Sequence, residues 1–262
     1  MAVRIYNVYF SAKGTTQKYA RRVAEALNLP LAEEHNWLNC SDRKSVVVPQ
    51  EDVLLFSMPV YGGFIPHFCA ELATVLKGSG TPAVIAAVYG NRHYDDALLQ
   101  MKDILTAQGF KVIAAGAFVA EHSIFPEVAC GRPDADDAAA LNSFAVQCAS
   151  LLKQRSEWEN KEVALPGNPG YDAAVFKGVA FNPDGDEKCI GCKKCAAICP
   201  MKAISEDNPR LTDKTRCISC GACIKICPVG ARNYHFEGYS DMAAAFKAKC
   251  SAYRKPETWY II

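Results

Sequence analysis

Net charge is almost absent from this chain. Its 29 lysines and arginines face 28 aspartates and glutamates, leaving +1 over 262 residues. That balance offers nothing to a nucleic-acid backbone or an anionic membrane surface. Long apolar runs are missing too. The longest, Val112 to Ala120, is broken by Gly116, and it is strand-sized beside the roughly 18 residues of a membrane helix. The opening MAVRIYNVYFSAKG has neither a long apolar core nor a small-residue cleavage site, so no secretory signal is read and a cytoplasmic location is expected. No Ser–His–Asp order, paired-carboxylate motif or Walker loop stands out. A hydrophobic content of 50% with 22% charged residues excludes global disorder and is enough for a packed core. The length allows two domains.

Cysteine, by contrast, is plentiful, with 13 in the chain. Cys40, Cys69, Cys130, Cys148 and Cys250 are scattered and are expected to pack as small apolar residues. The other eight lie between Cys189 and Cys227. Without a secretory signal, such a cluster points to metal rather than to disulfides. It is also an internal repeat. Cys189-Ile-Gly-Cys192-Lys-Lys-Cys195-Ala-Ala-Ile-Cys199-Pro200 recurs 28 residues later as Cys217-Ile-Ser-Cys220-Gly-Ala-Cys223-Ile-Lys-Ile-Cys227-Pro228. Zinc sites usually use two separated pairs, and a duplicated run of four followed by proline is a different pattern. C-x₂-C-x₂-C-x₃-C-P is the spacing of iron–sulfur ligands.

The first 120 residues alternate between strand-like and helix-like stretches. Arg4 to Phe10, Asp52 to Ser57, Pro82 to Tyr89 and Lys111 to Val119 read as buried strands. Tyr19, Ala20, Val23, Ala24 and Leu27 fall at helical spacing after the first strand, and further helices are predicted at Pro66 to Lys77, at Asp95 to Gln108 and at Asp134 to Leu152. A further strand must lie between Leu31 and Val48, where the pattern is poor. Alternation of this kind implies a parallel sheet covered on both faces, with ligands bound beyond the carboxyl ends of its strands. The loops beginning at Ser11, Ser57, Tyr89 and Ala120 are therefore the ones to inspect. Leu165-Pro-Gly-Asn-Pro-Gly170 is a turn-rich linker, and Tyr239 to Lys249 reads as a C-terminal helix. The charge divides as −2 over residues 1–153 and +3 over residues 154–262.

The cysteine repeat resembles the two-cluster bacterial ferredoxin family. The resemblance implies two [4Fe-4S] clusters. One takes Cys189, Cys192, Cys195 and Cys227; the other takes Cys217, Cys220, Cys223 and Cys199. The first loop, Ser11-Ala12-Lys13-Gly14-Thr15-Thr16, stands between a strand and a helix, where backbone N–H groups bind anions. It resembles the phosphate loop of flavodoxins, with Lys13 in place of a hydroxyl residue. Pro59-Val60-Tyr61-Gly62-Gly63 and Gly90-Asn91-Arg92-His93-Tyr94 resemble that family's two ring-contacting loops. Together these imply bound FMN, with Ser11, Lys13, Gly14, Thr15, Thr16, Pro59, Tyr61, Gly62, Gly63, Gly90, Asn91 and Tyr94 at its site. Asn91 is the expected polar ring contact, and Glu121-His122-Ser123 is expected to line the same crevice.

The whole chain resembles a flavodoxin–ferredoxin fusion. The fold expected from this is an α/β flavodoxin-like doubly wound parallel sheet of order 2-1-3-4-5 followed by an α+β two-cluster ferredoxin domain. The divisions expected are residues 1–153, a linker and lead-in at 154–178, the ferredoxin domain at 179–236, and a C-terminal helix and tail at 237–262. Three functions are compatible with it: an electron carrier served by redox donor and acceptor proteins, a flavin reductase acting on a quinone, nitro compound or other small acceptor, and a redox-sensing module. The carrier is favoured because no dedicated catalytic acid is apparent, and no supporting feature such as a DNA-binding helix pair marks a sensor.

Overall fold

A computed structural model describes residues 3–175 and 181–262 of the chain. The division expected between residues 178 and 179 lies outside the described residues. The first strand, β1 (Ile5–Tyr9), is buried along its whole length. So are all nine residues of β4 (Thr81–Tyr89) and nearly all of β3 (Val53–Pro59) and β5 (Phe110–Val119). Strands covered on both faces are dominated by apolar side chains, which is why these segments read as near-continuous runs, with Asn7, Ser57 and Thr81 as buried polar exceptions. The fifth parallel strand, β2 (Leu31–Asn36), has the sequence LAEEHN and sits at the sheet edge. Its polar side chains are paired: Glu34 accepts from the Tyr9 hydroxyl at 2.9 Å and pairs with Arg21 at 2.6 Å, and the buried His35 lies 2.9 Å from Glu33.

The strand order is β2-β1-β3-β4-β5, all parallel. The chain steps outward from β1 to β2 and then back across it to β3, so the switch point lies at the carboxyl ends of β1 and β3. Helix α1 (Thr15–Leu27) buries Thr16, Tyr19, Ala20, Val23 and Leu27, a single stripe, and packs beside α4 (Ala135–Lys153). Asp134 caps α4 reciprocally with Asp137, whose carboxylate also holds the buried Arg132 guanidinium. Helix α3 (Ala97–Ala107) covers β4 and β5.

The helix predicted over Pro66 to Lys77 is shorter. It is α-helical only in α2 (His67–Leu72) and tightens to a 3₁₀ turn at Ala73–Val75. Leu76–Lys77 then pairs with Val46–Val47 as a small parallel ladder. Thr74 and Val75 are β-branched and favour extended backbone, and Leu76 is fully buried in that ladder.

Past the linker, two five-residue helices, α5 (Lys194–Ile198) and α6 (Ala222–Ile226), pack on one another. Asp184–Gly185 pairs antiparallel with Arg232–Asn233. Helix α7 (Tyr239–Lys249) lies where the sequence placed it. The tail expected after this helix carries a short strand. Residues Glu257–Tyr260 form β6, which adds antiparallel to β5 with Trp259 opposite Ala115, so the tail completes the sheet of the first domain. Four residues after a proline carry too little pattern to declare a long-range pairing.

Candidate cofactor site

The site begins where β1 ends. Gly14 has φ 90° and forms the N-cap of α1 without any side-chain capping bond. Of the first-turn N–H groups, that of Gln17 is taken by Ser11, and those of Thr15 and Thr16 are left to whatever occupies the loop. Ser11 is buried, and its Oγ accepts from Gln17 N at 3.0 Å, which fixes the loop. Lys13 folds inward, and its Nζ donates to Ser123 O at 3.1 Å. Burial lowers the pKa of this ammonium; Glu121 opposes the shift and the charge of Lys225 adds to it. Ser11, Lys13, Thr15 and Thr16 line a cavity of about 240 Å³ together with Pro59, Tyr61, Gly90 and His122.

A second cavity, of about 710 Å³, adjoins the first through Tyr61, Gly90, His122 and Ser123. Its walls include Gly62, Gly63, Phe68, Phe125, Phe181 and Phe246. Gly62 and Gly63 have φ values of 62° and 96°, and a Cβ on Gly63 would lie 2.5 Å from Asp95 Oδ2, so this turn requires glycine. The crevice therefore has an anion-binding end and an apolar, aromatic end. A flat aromatic group carrying a phosphate fits that division, and FMN is such a group.

Two expected contacts lie elsewhere. Asn91 is buried, and its Nδ2 donates to Cys250 O at 2.7 Å and to Ala252 O at 2.9 Å. Tyr94 is buried against Trp259, and its hydroxyl donates to Glu257 at 3.1 Å. Neither is among the described residues lining the two cavities. Both hold the C-terminal tail, whose return to this sheet edge the sequence does not announce. Gly90 lines both cavities, but its missing side chain makes room for a neighbour: an added Cβ would lie 2.4 Å from His122 Cδ2.

His122 is the centre of the wall between the cavities. Its Nδ1 accepts from Ile124 N at 3.2 Å and Phe125 N at 3.1 Å, which puts the ring proton on Nε2. The ring packs against Phe125 and Phe246. Burial, aided by the charges of Lys13 and Arg92, lowers its pKa to about 4. His122 is therefore a neutral donor at ordinary pH. Its place at the carboxyl end of β5 is the sequence signal that singles out its loop.

The cysteine repeat is preserved in the backbone. Gly191 and Ser219, at matching positions, have φ of 69° and 55°; Lys193 and Gly221 have 59° and 75°. Adopting the left-handed region costs Ser219 and Lys193 free energy, and both halves of the repeat adopt it at the same positions. Burial opposes ionisation of Cys227, but N–H groups of Val229, Arg232, Ala231 and Gly230 outweigh it and lower the thiol pKa. Such donors also stabilise sulfur ligated to iron. None of the thirteen cysteines forms a disulfide. The two repeats differ in position: Cys192 is exposed, whereas Cys220 lines the first cavity and Cys217, Ile218 and Ser219 line the second.

Residues 188–231 match the family model of the 4Fe-4S dicluster domain. The matched segment holds both cysteine runs and follows the doubly wound parallel-sheet domain. Among solved structures, a flavodoxin from the domain Archaea is similar, with 13% identity over 58% of this chain and 99% of that one, at a TM-score of 0.41. A Streptococcus pneumonia TIGR4 flavodoxin shows 18% identity over 56% of this chain and 97% of that one, at 0.39. Rubredoxin oxygen:oxidoreductase from the anaerobe Desulfovibrio gigas shows 16% over 59% of this chain, at 0.38, with only 36% of that chain covered. No helix among the described residues is long and apolar enough to cross a membrane.

Proposed function

We propose that the chain passes electrons between two [4Fe-4S] clusters and a bound FMN, coupling one-electron to two-electron redox steps. The observation that carries this reading is the shared wall: the Cys217–Cys220 loop of the dicluster domain closes the crevice that begins at the phosphate loop of the flavodoxin-like domain. The residues fit both groups. Cys189, Cys192, Cys195 and Cys227 would hold one cluster, and Cys217, Cys220, Cys223 and Cys199 the other. The loop from Ser11 to Thr16 would take the flavin phosphate, and Tyr61, Gly62, Gly63 and His122 would surround its ring. A cluster supplies single electrons, and a flavin supplies one or two.

The protein's own part is placement. Tyr61 is half-buried, lines both cavities and lies within electrostatic reach of the Cys220 thiol. Arg43 binds Pro200 O at 3.0 Å and Lys225 binds Lys13 O at 2.8 Å, fixing one domain on the other. Aromatic packing of Phe246 on His122 and Phe125 adds a third tie. Tethering replaces bimolecular docking with a high local concentration. The exposed Cys192 loop is the face on which a redox donor or acceptor protein would dock.

The second reading, a reductase of small acceptors, draws on one observation: the aromatic cavity of about 710 Å³. Anaerobically purified protein distinguishes these readings. A content of one FMN with about eight irons per chain is expected. Eight irons without flavin would refute the coupling. Rapid reoxidation by a quinone or nitroaromatic, saturable in the acceptor, would favour the reductase.

A further inference from the structure

We infer that Lys225, on helix α6 of the dicluster domain, belongs to the phosphate end of the flavin site in the other domain, so that both domains hold the FMN phosphate. The inference rests on the flavin reading above. Lys225 Nζ donates to Lys13 O at 2.8 Å and lies 2.7 Å from where a Cβ on Gly14 would stand. Gly14 is thus bare at the one place where the second domain's cation meets the loop.

The repeat supplies an internal control. Twenty-eight residues earlier, the position matching Lys225 is Ala197, in the run Cys195-Ala-Ala197-Ile of the other half. The cluster-binding turn therefore does not need a lysine there. What distinguishes the second half is its contact with the phosphate loop. The Lys225 ammonium reaches the loop backbone at Lys13 O and the Lys13 ammonium reaches Ser123 O, both near the N-terminus of the 13-residue helix α1. Lys18 and Arg132 also line this cavity, and Glu121 is the acidic group that acts on Lys13. A phosphate monoester, carrying about −1.5 to −2 charge at neutral pH, is the ligand that balances them. Riboflavin, which lacks the phosphate, would gain nothing from Lys225.

The test uses full-length protein freed of flavin with its clusters in place, titrated with FMN and with riboflavin by flavin fluorescence quenching. Lys225→Ala copies the residue of the other repeat, and Lys225→Arg keeps the charge. Loss of a charge-assisted contact predicts that Lys225→Ala weakens FMN roughly tenfold or more. Riboflavin, which can lose only the domain contact at Lys13 O, should weaken far less than FMN, and FMN binding should become less sensitive to salt. Lys225→Arg should keep most of the FMN preference. Equal weakening of both flavins would overturn the inference, because it marks a role in domain docking alone. Unchanged FMN affinity would also overturn it, while leaving the flavin reading intact. Wild-type protein that binds neither flavin would overturn the flavin reading and this inference with it. Iron content and the cluster absorbance of each variant report whether the dicluster domain has folded.

Discussion

Substituting Gly90 by alanine tests the shape of the crevice without touching a charged or hydrogen-bonding group. The new methyl would stand 2.4 Å from His122 Cδ2, 2.9 Å from Cγ and 3.0 Å from Cα. Backbone strain does not enter, since Gly90 lies outside the positive-φ set. The imidazole cannot retreat freely. Its Nδ1 holds two backbone N–H groups, and Phe125 and Phe246 pack at centroid distances of 5.4 Å and 4.8 Å. Overpacking of this kind costs about 1–3 kcal/mol. If the ring yields toward the crevice, that cost appears as FMN affinity, a loss of roughly 5- to 150-fold. Fluorescence titration of wild type, Gly90→Ala and Gly90→Ala/His122→Ala measures it. The double variant removes the two closest contacts and should recover much of the loss. Wild-type affinity in Gly90→Ala, or a double variant no better than the single, would refute the reasoning.

Two further tests address stability and pH. Asp137→Ala leaves the Arg132 guanidinium, whose side chain is 6% exposed, without its buried partner and also breaks the α4 capping box, so a loss of about 3–5 kcal/mol is expected in chemical unfolding; an unchanged midpoint would contradict it. His122 has a pKa of about 4 in the folded chain against an ordinary 6.5. The unfolded chain takes up this proton first as pH falls, so the stability from His122 is full above pH 6.5 and is lost between about 6.5 and 4, of order 3 kcal/mol in all. The acid slope of thermal stability over that window should flatten in His122→Phe, and FMN affinity should show no inflection near pH 6.5 attributable to this ring.

The parallel sheet was legible because its strands are buried on both faces, which leaves an unbroken apolar signature in Val53-Leu-Leu-Phe56 and Thr81 to Tyr89. The edge strand Leu31–Asn36 was not, since an edge strand can spend its side chains on polar partners such as Tyr9 and Arg21. The duplicated run of eight cysteines was legible from spacing alone, because it is a pattern of short intervals along one chain. The loop from Ser11 to Thr16 was legible as a glycine-bearing turn ahead of a helix. Which glycine serves which neighbour was not. Gly14 makes room for Lys225, 211 residues away, and Gly90 makes room for His122.

The sequence by itself determined the composition of the site: eight thiols in a duplicated run, an anion loop and two glycine-bearing loops at strand ends. These are local facts, set by residues a few positions apart. Only the tertiary structure decided which half of the repeat faces the crevice, and why Asn91 and Tyr94 leave it. That choice depends on the C-terminal tail. Asn91 binds its carbonyls at Cys250 and Ala252, Arg132 binds Arg254 O at 3.1 Å, and Glu257–Tyr260 pairs with β5. Those contacts join segments more than a hundred residues apart, and their geometry exists only once both domains have folded against one sheet.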